Sequence, residues 1–437
     1  MWFQKLLGFD STQHKVRTEI FAGVTTFLTM AYILAVNPGI FSALEPMGMP
    51  NSAVFTATVL AAIVGTLAMA FIAKKPFGLA PGMGMNAFFV FGVCLGMGHS
   101  WQFALTAVFI EGILFILLSL FKVRELIAHA IPMGLKAAIG GGIGLFIAFV
   151  GLQHCGIVVH NENTMVSLAD FNNRTVILSL IGLFICGLMT VRKIPGGLLW
   201  GILLTALIGI PMGVTQWSKI VSMPPSLAPV FLQFEWSQIF TWDMFIVVFA
   251  FLFVDLFDTI GTVIAVSLKS GMVNKDGKVD GIGQMLLADA VATTAGACLG
   301  ASTTTTYVES AAGVAVGGRT GLTALVIAVC FALALFLSPL FLAIPMAATG
   351  PALIIVGVMM ISNTAAIDWD DYSEAIPAFI TLLMTPLCYS ISDGLMLGSI
   401  MYVLMKLCKG KEGIRQISPA MWVLFAIFVL RYIYKSL

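Results

Sequence analysis

The segment FLFVDLFDTIGT, residues 251 to 262, sets Asp255 and Asp258 inside an apolar run of membrane-spanning character. A carboxylate at the bilayer centre costs on the order of 3 kcal/mol even on lenient insertion scales, so an acid there needs a task. Spaced three apart, the two share one helical face with Thr259 and Thr262. Such a face, turned to a water-filled cavity, accepts hydrogen bonds from N–H donors or carries protons. A third acid, Glu309, stands in TTTTYVESAAGV, and Asn86 follows GMGM in PFGLAPGMGMNAFF.

These residues have to be positioned by a membrane protein. Of 437 residues, 59% are hydrophobic and 10% charged, with a mean hydropathy of +1.02. No soluble domain of this size is so apolar. Apolar stretches of spanning length recur from Glu19 to the C-terminus, separated mostly by short loops, which predicts an all-α polytopic membrane protein of about 14 spans. The stretch 418–434 is either a fifteenth helix or the true last one, with 375–408 then a single broken element. Seventeen of the 22 Lys and Arg residues fall on one side if the N-terminus is cytoplasmic.

Net charge is +1, without the basic field that nucleic-acid binding needs, so no nucleic-acid partner is expected. Seven scattered cysteines and five histidines (14, 99, 129, 154, 160) show no ligand spacing; no metal or cofactor is expected. The N-terminus reads as an amphipathic segment on the membrane surface through Trp2, Phe3, Leu6, Leu7 and Phe9, not as a signal peptide.

The chain repeats itself. AIPMGLKAAIGGGIG (130–144) matches AIPMAATGPALIIVG (343–357), and IPGGLLWG (194–201) matches ISDGLMLG (391–398). Two halves of seven spans follow, and because seven is odd the halves must be inverted. Inverted repeats are a signature of secondary transporters, whose sites lie at the midplane between the halves.

The third span of each half is irregular: 76–96 crowds Pro and Gly into its first part, and 300–318 a run of Thr. Both first parts disfavour helix. Each span is expected to be an extended piece feeding a half-helix, with Asn86 and Glu309 at the half-helix starts. The bland alternative is that Asn86 and the threonines only cap those helices. Glu309 does not need a full charge for capping and is the stronger functional candidate. Glu111, Asp289 and Lys136 read as acids and a base satisfied between helices.

TEIFAGVTTFLTMAYILAVNP, GLAPGMGMNAFF, FVDLFDTIGT and TTTTYVESAAGV, in this order over nearly the whole chain, resemble the nucleobase cation symporter-2 superfamily, in particular its AzgA-like purine permease branch. The resemblance implies proton-coupled uptake of hypoxanthine, guanine or adenine through the cytoplasmic (inner) membrane, usually by a homodimer. It also implies a 7+7 inverted-repeat transporter fold with core and gate domains. The boundaries expected here are an N-terminal segment 1–18, core 19–122, gate 123–213, an extracellular loop 214–239, core 240–343 and gate 344–437. By motif, the substrate ligands are Asp258, Glu309, Asn86 and Gly84, with Thr306 of the TTTT run placed beside them. Proton coupling falls to Asp258 first, with Glu309 and Asp255 next. A carboxylate accepts two parallel N–H donors of a purine as a charge-assisted pair, and Phe88, Phe89 and Tyr307 are available for stacking.

Two other classes compete. An intramembrane aspartyl protease needs aspartates on separate helices with a GxGD element, which GMGMN and FVDLFD lack. An anion transporter of the same inverted fold would gain nothing from two acids. A uracil or xanthine carrier of the other branch often has a glutamate where Asp258 stands.

Overall fold

The computed structural model describes residues 6–120, 132–217, 219–270, 279 and 281–436. Trp2, Phe3, Lys122, Arg124, His129, Lys275 and Lys278, and the expected boundary at 122/123, lie outside the described residues. Ten described helical segments are long and apolar enough to cross a membrane. Other expected spans take the form of half-helices or short helices.

The first apolar run divides into α1 (Val16–Met30) and α2 (Ile33–Phe41), with a turn at Ala31 and Tyr32. Thr25 and Thr29 donate to the carbonyls of Phe21 (2.8 Å) and Thr26 (2.7 Å) just before this break. Hydroxyls that bond back along a helix in this way bend it. α3 (Asn51–Ala68) leads through the Pro- and Gly-rich stretch to strand β1 (Leu79–Pro81) and α4 (Met83–Ala87), whose coil continues with wider turns to Gly96. Next come α5 (Trp101–Leu120), α6 (Met133–His154) and the surface hairpin of β2 (Val158–Asn161) with β3 (Met165–Leu168). α7 (Arg174–Val191) and α8 (Gly197–Gly209) close the first half.

The second half repeats the plan with α9 (Trp242–Ser270), α10 (Ile282–Leu299), strand β4 (Thr304–Thr306), α11 (Ser310–Val316), α12 (Gly321–Ala334), α13 (Ser338–Leu342) and α14 (Met346–Ile361). α15 (Tyr372–Leu387) and α16 (Ile391–Cys408) are separate helices, and α17 (Lys411–Gln416) and α18 (Pro419–Ser436) follow them. The segment 375–408 is therefore two helices, and 418–434 belongs to an additional one.

The repeat explains the packing. Pro132 and Pro345, equivalent in the AIPM motifs, immediately precede α6 and α14. A methyl added to Gly144 of α6 would lie 2.8 Å from the carbonyl oxygen of Gly357 in α14, and one added to Gly357 would meet the carbonyl of Gly144. Gly151 meets Gly350 in the same way, so the numbering rises along one helix as it falls along the other. Gly144 and Gly357 are themselves equivalent, so the two helices cross antiparallel about a local two-fold axis perpendicular to both. That is the geometry of an inverted repeat. In the second matched pair, Gly201 packs on Cys186 of α7 and Gly398 on Thr381 of α15. Equivalent glycines thus allow equivalent close helix approaches.

The N-terminal segment differs from expectation. Leu7 and Phe9 are buried, Leu7 packing with Ala70 and Ala324 while its carbonyl accepts the Gly321 N–H at 3.0 Å. Within the described part of the segment, Leu7 and Phe9 are buried against protein and not laid on lipid. At the other end, Lys406 is buried and paired with Glu374 at 2.7 Å, with Gln416 of α17 accepting from it at 2.8 Å. A charge taken out of water persists when paired and hydrogen-bonded.

Candidate functional site

The extended pieces of the two halves meet at the centre of the fold. β1 and β4 pair antiparallel, with Leu79 opposite Thr306, Ala80 opposite Thr305 and Pro81 opposite Thr304. The ladder is prolonged by Gly82 N–H to the Thr303 carbonyl and Tyr307 N–H to the Gly78 carbonyl, each 3.0 Å. Irregular backbone within a membrane must find internal partners. Thr66 Oγ1 serves both the N–H and the carbonyl of Leu79 (3.0 and 3.1 Å), and Thr293 Oγ1 donates to the Thr304 carbonyl at 3.0 Å. Because the strands are antiparallel, α4 and α11 leave the crossing in opposite directions.

Most threonines here bridge to neighbouring elements and do not cap. Thr303 Oγ1 donates to Glu111 Oε2 at 2.8 Å, and Thr305 Oγ1 shares a 2.8 Å bond with Thr259 Oγ1. Thr306 gives both its N–H (3.1 Å) and its hydroxyl (3.2 Å) to Asp289 Oδ1, while Thr259 Oγ1 lies 3.0 Å from Asp289 Oδ2. The Thr306 side chain is turned into the packing between β4 and α10, and the residue is buried.

The acids sort by exposure. Asp255 is fully buried, with Oδ1 3.2 Å from Thr259 Oγ1. Asp258 and Glu309 are half-buried, and Asp258 lies within electrostatic reach of Asp289 and Glu309. Asp255 is thus the more buried of the two aspartates on this face. Glu309 occupies the residue before α11, as its half-helix position requires, but its carboxylate bonds no N–H of that helix. Instead Tyr32 donates its phenol to Glu309 Oε1 at 2.8 Å.

Asn86 is fully buried one turn inside α4, whose first turn begins after Gly82. Its Oδ1 accepts the Ser302 hydroxyl and its Nδ2 lies 3.4 Å from the Pro81 carbonyl, so it links the half-helix to the approach to β4 and is not a cap. Gly84 is half-buried against α6, where an added methyl would meet Ile143 Cγ2 at 2.5 Å. Of the aromatic candidates, Phe88 and Phe89 are fully buried against Phe251 and Phe41, with ring centroids 4.8 and 5.2 Å apart. Tyr307 adjoins Glu309 and donates to the Pro81 carbonyl at 2.6 Å.

Sequence reasoning passed over Tyr32, Ser302 and the organising role of Asp289. Tyr32 stands in an apolar run, TMAYILAV, with only the preceding threonines to mark the helix break. Asp289 was legible as a buried acid, but three hydroxyl and N–H donors from two other elements converge on it only in the fold.

Antiparallel strands crossing at mid-protein, half-helices leaving them in opposite directions and an inverted pair of halves define a membrane transporter of the seven-plus-seven inverted-repeat fold. The transmembrane domain of the cyanobacterial bicarbonate transporter BicA has this fold: TM-score 0.64 at 17% identity, over 87% of this chain and 97% of that one. The model of the permease family that includes xanthine and uracil permeases matches residues 17–397, and the chain belongs to that family, the nucleobase cation symporter-2 group. It is 45% identical to the guanine/hypoxanthine permease PbuG of Bacillus subtilis, over 98% of both chains. It is 42% identical to the adenine permease AdeQ of Escherichia coli, over 97% of this chain and 95% of that one.

Proposed function

We propose that this protein takes up purine nucleobases, hypoxanthine, guanine or adenine, across the cytoplasmic membrane by proton-coupled alternating access. The observation that carries this reading is the pair of half-buried acids, Asp258 and Glu309, within electrostatic reach of one another beside the strand crossing. Guanine presents adjacent N–H donors on its pairing edge, and hypoxanthine and adenine present an N–H donor beside a carbonyl or ring-nitrogen acceptor. A carboxylate receives the donors, while an amide such as that of Asn86 can both donate and accept. The names of the relatives support the same substrate class.

In this reading 19–122 and 240–343 form a core that carries the site, and 123–213 and 344–437 form a gate, with Gly84 at their contact. Movement of core against gate exposes the site to each side in turn. Asp258 is the principal proton carrier, loading outside and releasing inside, with Glu309 and Asp255 as members of a coupled set. Asp255, Thr306 and Asp289 hold the crossing in shape around it. The protein works as a homodimer in the lipid of the inner membrane, its N-terminus cytoplasmic.

The test is uptake of radiolabelled hypoxanthine into cells expressing the chain, with and without a proton uncoupler. Accumulation that the uncoupler abolishes supports the proposal. Uptake indifferent to the uncoupler overturns the coupling, and no purine uptake overturns the substrate.

A further inference from the structure

We propose that Tyr32 is a positioning residue that determines specificity at the purine site, its phenol aiming the Glu309 carboxylate at the paired N–H groups of the base. The inference rests on the purine-transport reading above.

Three observations carry it. Tyr32 is 1% exposed, yet it sits in a two-residue turn between α1 and α2 where the first apolar run loses its helical geometry. A buried phenol needs a partner, and this one donates to Glu309 Oε1 at 2.8 Å, across 277 residues of chain. The same break lies against the main chain of that residue: Thr29 Oγ1, whose hydroxyl donates to the Thr26 carbonyl, comes within 3.4 Å of the Glu309 carbonyl. The Glu309 side chain is therefore tied to the α1–α2 turn, and its main chain lies against it.

The consequence is directional. An ionised carboxylate has two oxygens and about four lone-pair sites. Tyr32 takes one of these sites, on Oε1, and Glu309 is half-buried. A planar base approaching from the open side then finds Oε2 and the remaining lone pair of Oε1 presented as parallel acceptors. Guanine offers two adjacent donors, N1–H and the exocyclic amine; 1-methylguanine lacks the first. Without the phenol, the Glu309 carboxylate is no longer held in one orientation, and the penalty falls on ligands that use both oxygens.

The experiment compares the KM and Vmax of guanine and 1-methylguanine uptake in the parent and in Tyr32→Phe, at equal membrane abundance. Loss of one hydrogen bond to a charged group corresponds to roughly a ten- to hundred-fold effect. The expected result is a guanine KM raised by about that factor, Vmax little changed, and the preference for guanine over 1-methylguanine reduced to match. Replacing Tyr32 with 4-aminophenylalanine, which keeps a donor on the ring, should restore the preference. It also carries the test alone if Tyr32→Phe fails to accumulate: parental preference supports the proposal and its loss overturns it. Parental guanine KM in Tyr32→Phe, or equal losses for the two bases, overturns it too. A parent that takes up no guanine overturns the purine reading instead.

Discussion

Ser302 and Asn86, 216 residues apart, are joined side chain to side chain, the serine hydroxyl donating to the asparagine Oδ1. One belongs to the approach to β4 and the other to the half-helix that follows β1, so this bond locks the two halves of the crossing together. Asn86 therefore combines a structural bond with a place beside the proposed site.

Replacing Asn86 with Ala should weaken purine binding by about 1–3 kcal/mol, the range for leaving a buried polar partner unpaired. The stability should fall as well, because the Ser302 hydroxyl loses its buried partner. Calorimetric titration with guanine beside a thermal melt checks both. Parental affinity together with loss of folded protein would make the residue purely structural.

The contact between Gly144 and Gly357 leads to a second prediction. A methyl at either position meets the carbonyl of the other, a main-chain atom that cannot rotate away. Gly357→Ala should force α6 and α14 apart, at about 1–3 kcal/mol for overpacking. The melting temperature of the purified protein should fall, whereas Ala at Gly187, where an added methyl meets nothing within 4 Å, should leave it unchanged.

Outside the membrane, Asp371 precedes α15 and accepts from Lys409 Nζ at 2.8 Å and from the Ser373 N–H at 2.9 Å. The Lys409 hydrogen bond, followed by those of Ser373, holds its carboxyl below the ordinary carboxylate range. A lowered folded-state value stabilises the protein above about pH 4, the unfolded carboxylate value, and the contribution is lost as pH falls further. Asp371→Asn should thus be slightly less stable than the parent near about pH 7, and the difference should shrink steadily on acidification below about pH 4. A pH series of melting curves for the two proteins measures it.

Composition and repeats made the architecture legible because both act locally. Apolar length marks a span, Pro81 and the Thr run mark backbone that resists helix, and the matched AIPM motifs mark the start of equivalent helices. The crossing itself was not legible: three-residue strands carry too little pattern to reveal their partner. Asp258 and Glu309 stood out as candidates because a carboxylate in an apolar run is costly. Tyr32 escaped because a tyrosine among Ala, Ile and Leu costs little until its hydroxyl is buried. The threonines misled in the other direction: their sequence position suits capping, but the strands turn their hydroxyls toward Glu111, Thr259 and Asp289.

Assigning proton coupling to Asp258 makes binding and pumping separable. Asp258→Asn should keep measurable purine binding, lose accumulation against a gradient, and bind with little dependence on pH between about 5 and 8. Uphill, uncoupler-sensitive uptake by this variant would move the role to Glu309 or Asp255.

The central claim is that Glu309, steadied by Tyr32, is the acceptor for the base. Titration of guanine into purified parent and Glu309→Gln, each shown to be folded by its melting curve, tests it most directly. The exchange preserves size and one acceptor oxygen while removing the charge and placing an N–H where the second acceptor stood. The account predicts saturable binding by the parent and no high-affinity binding by Glu309→Gln; equal affinity in the two proteins would contradict it.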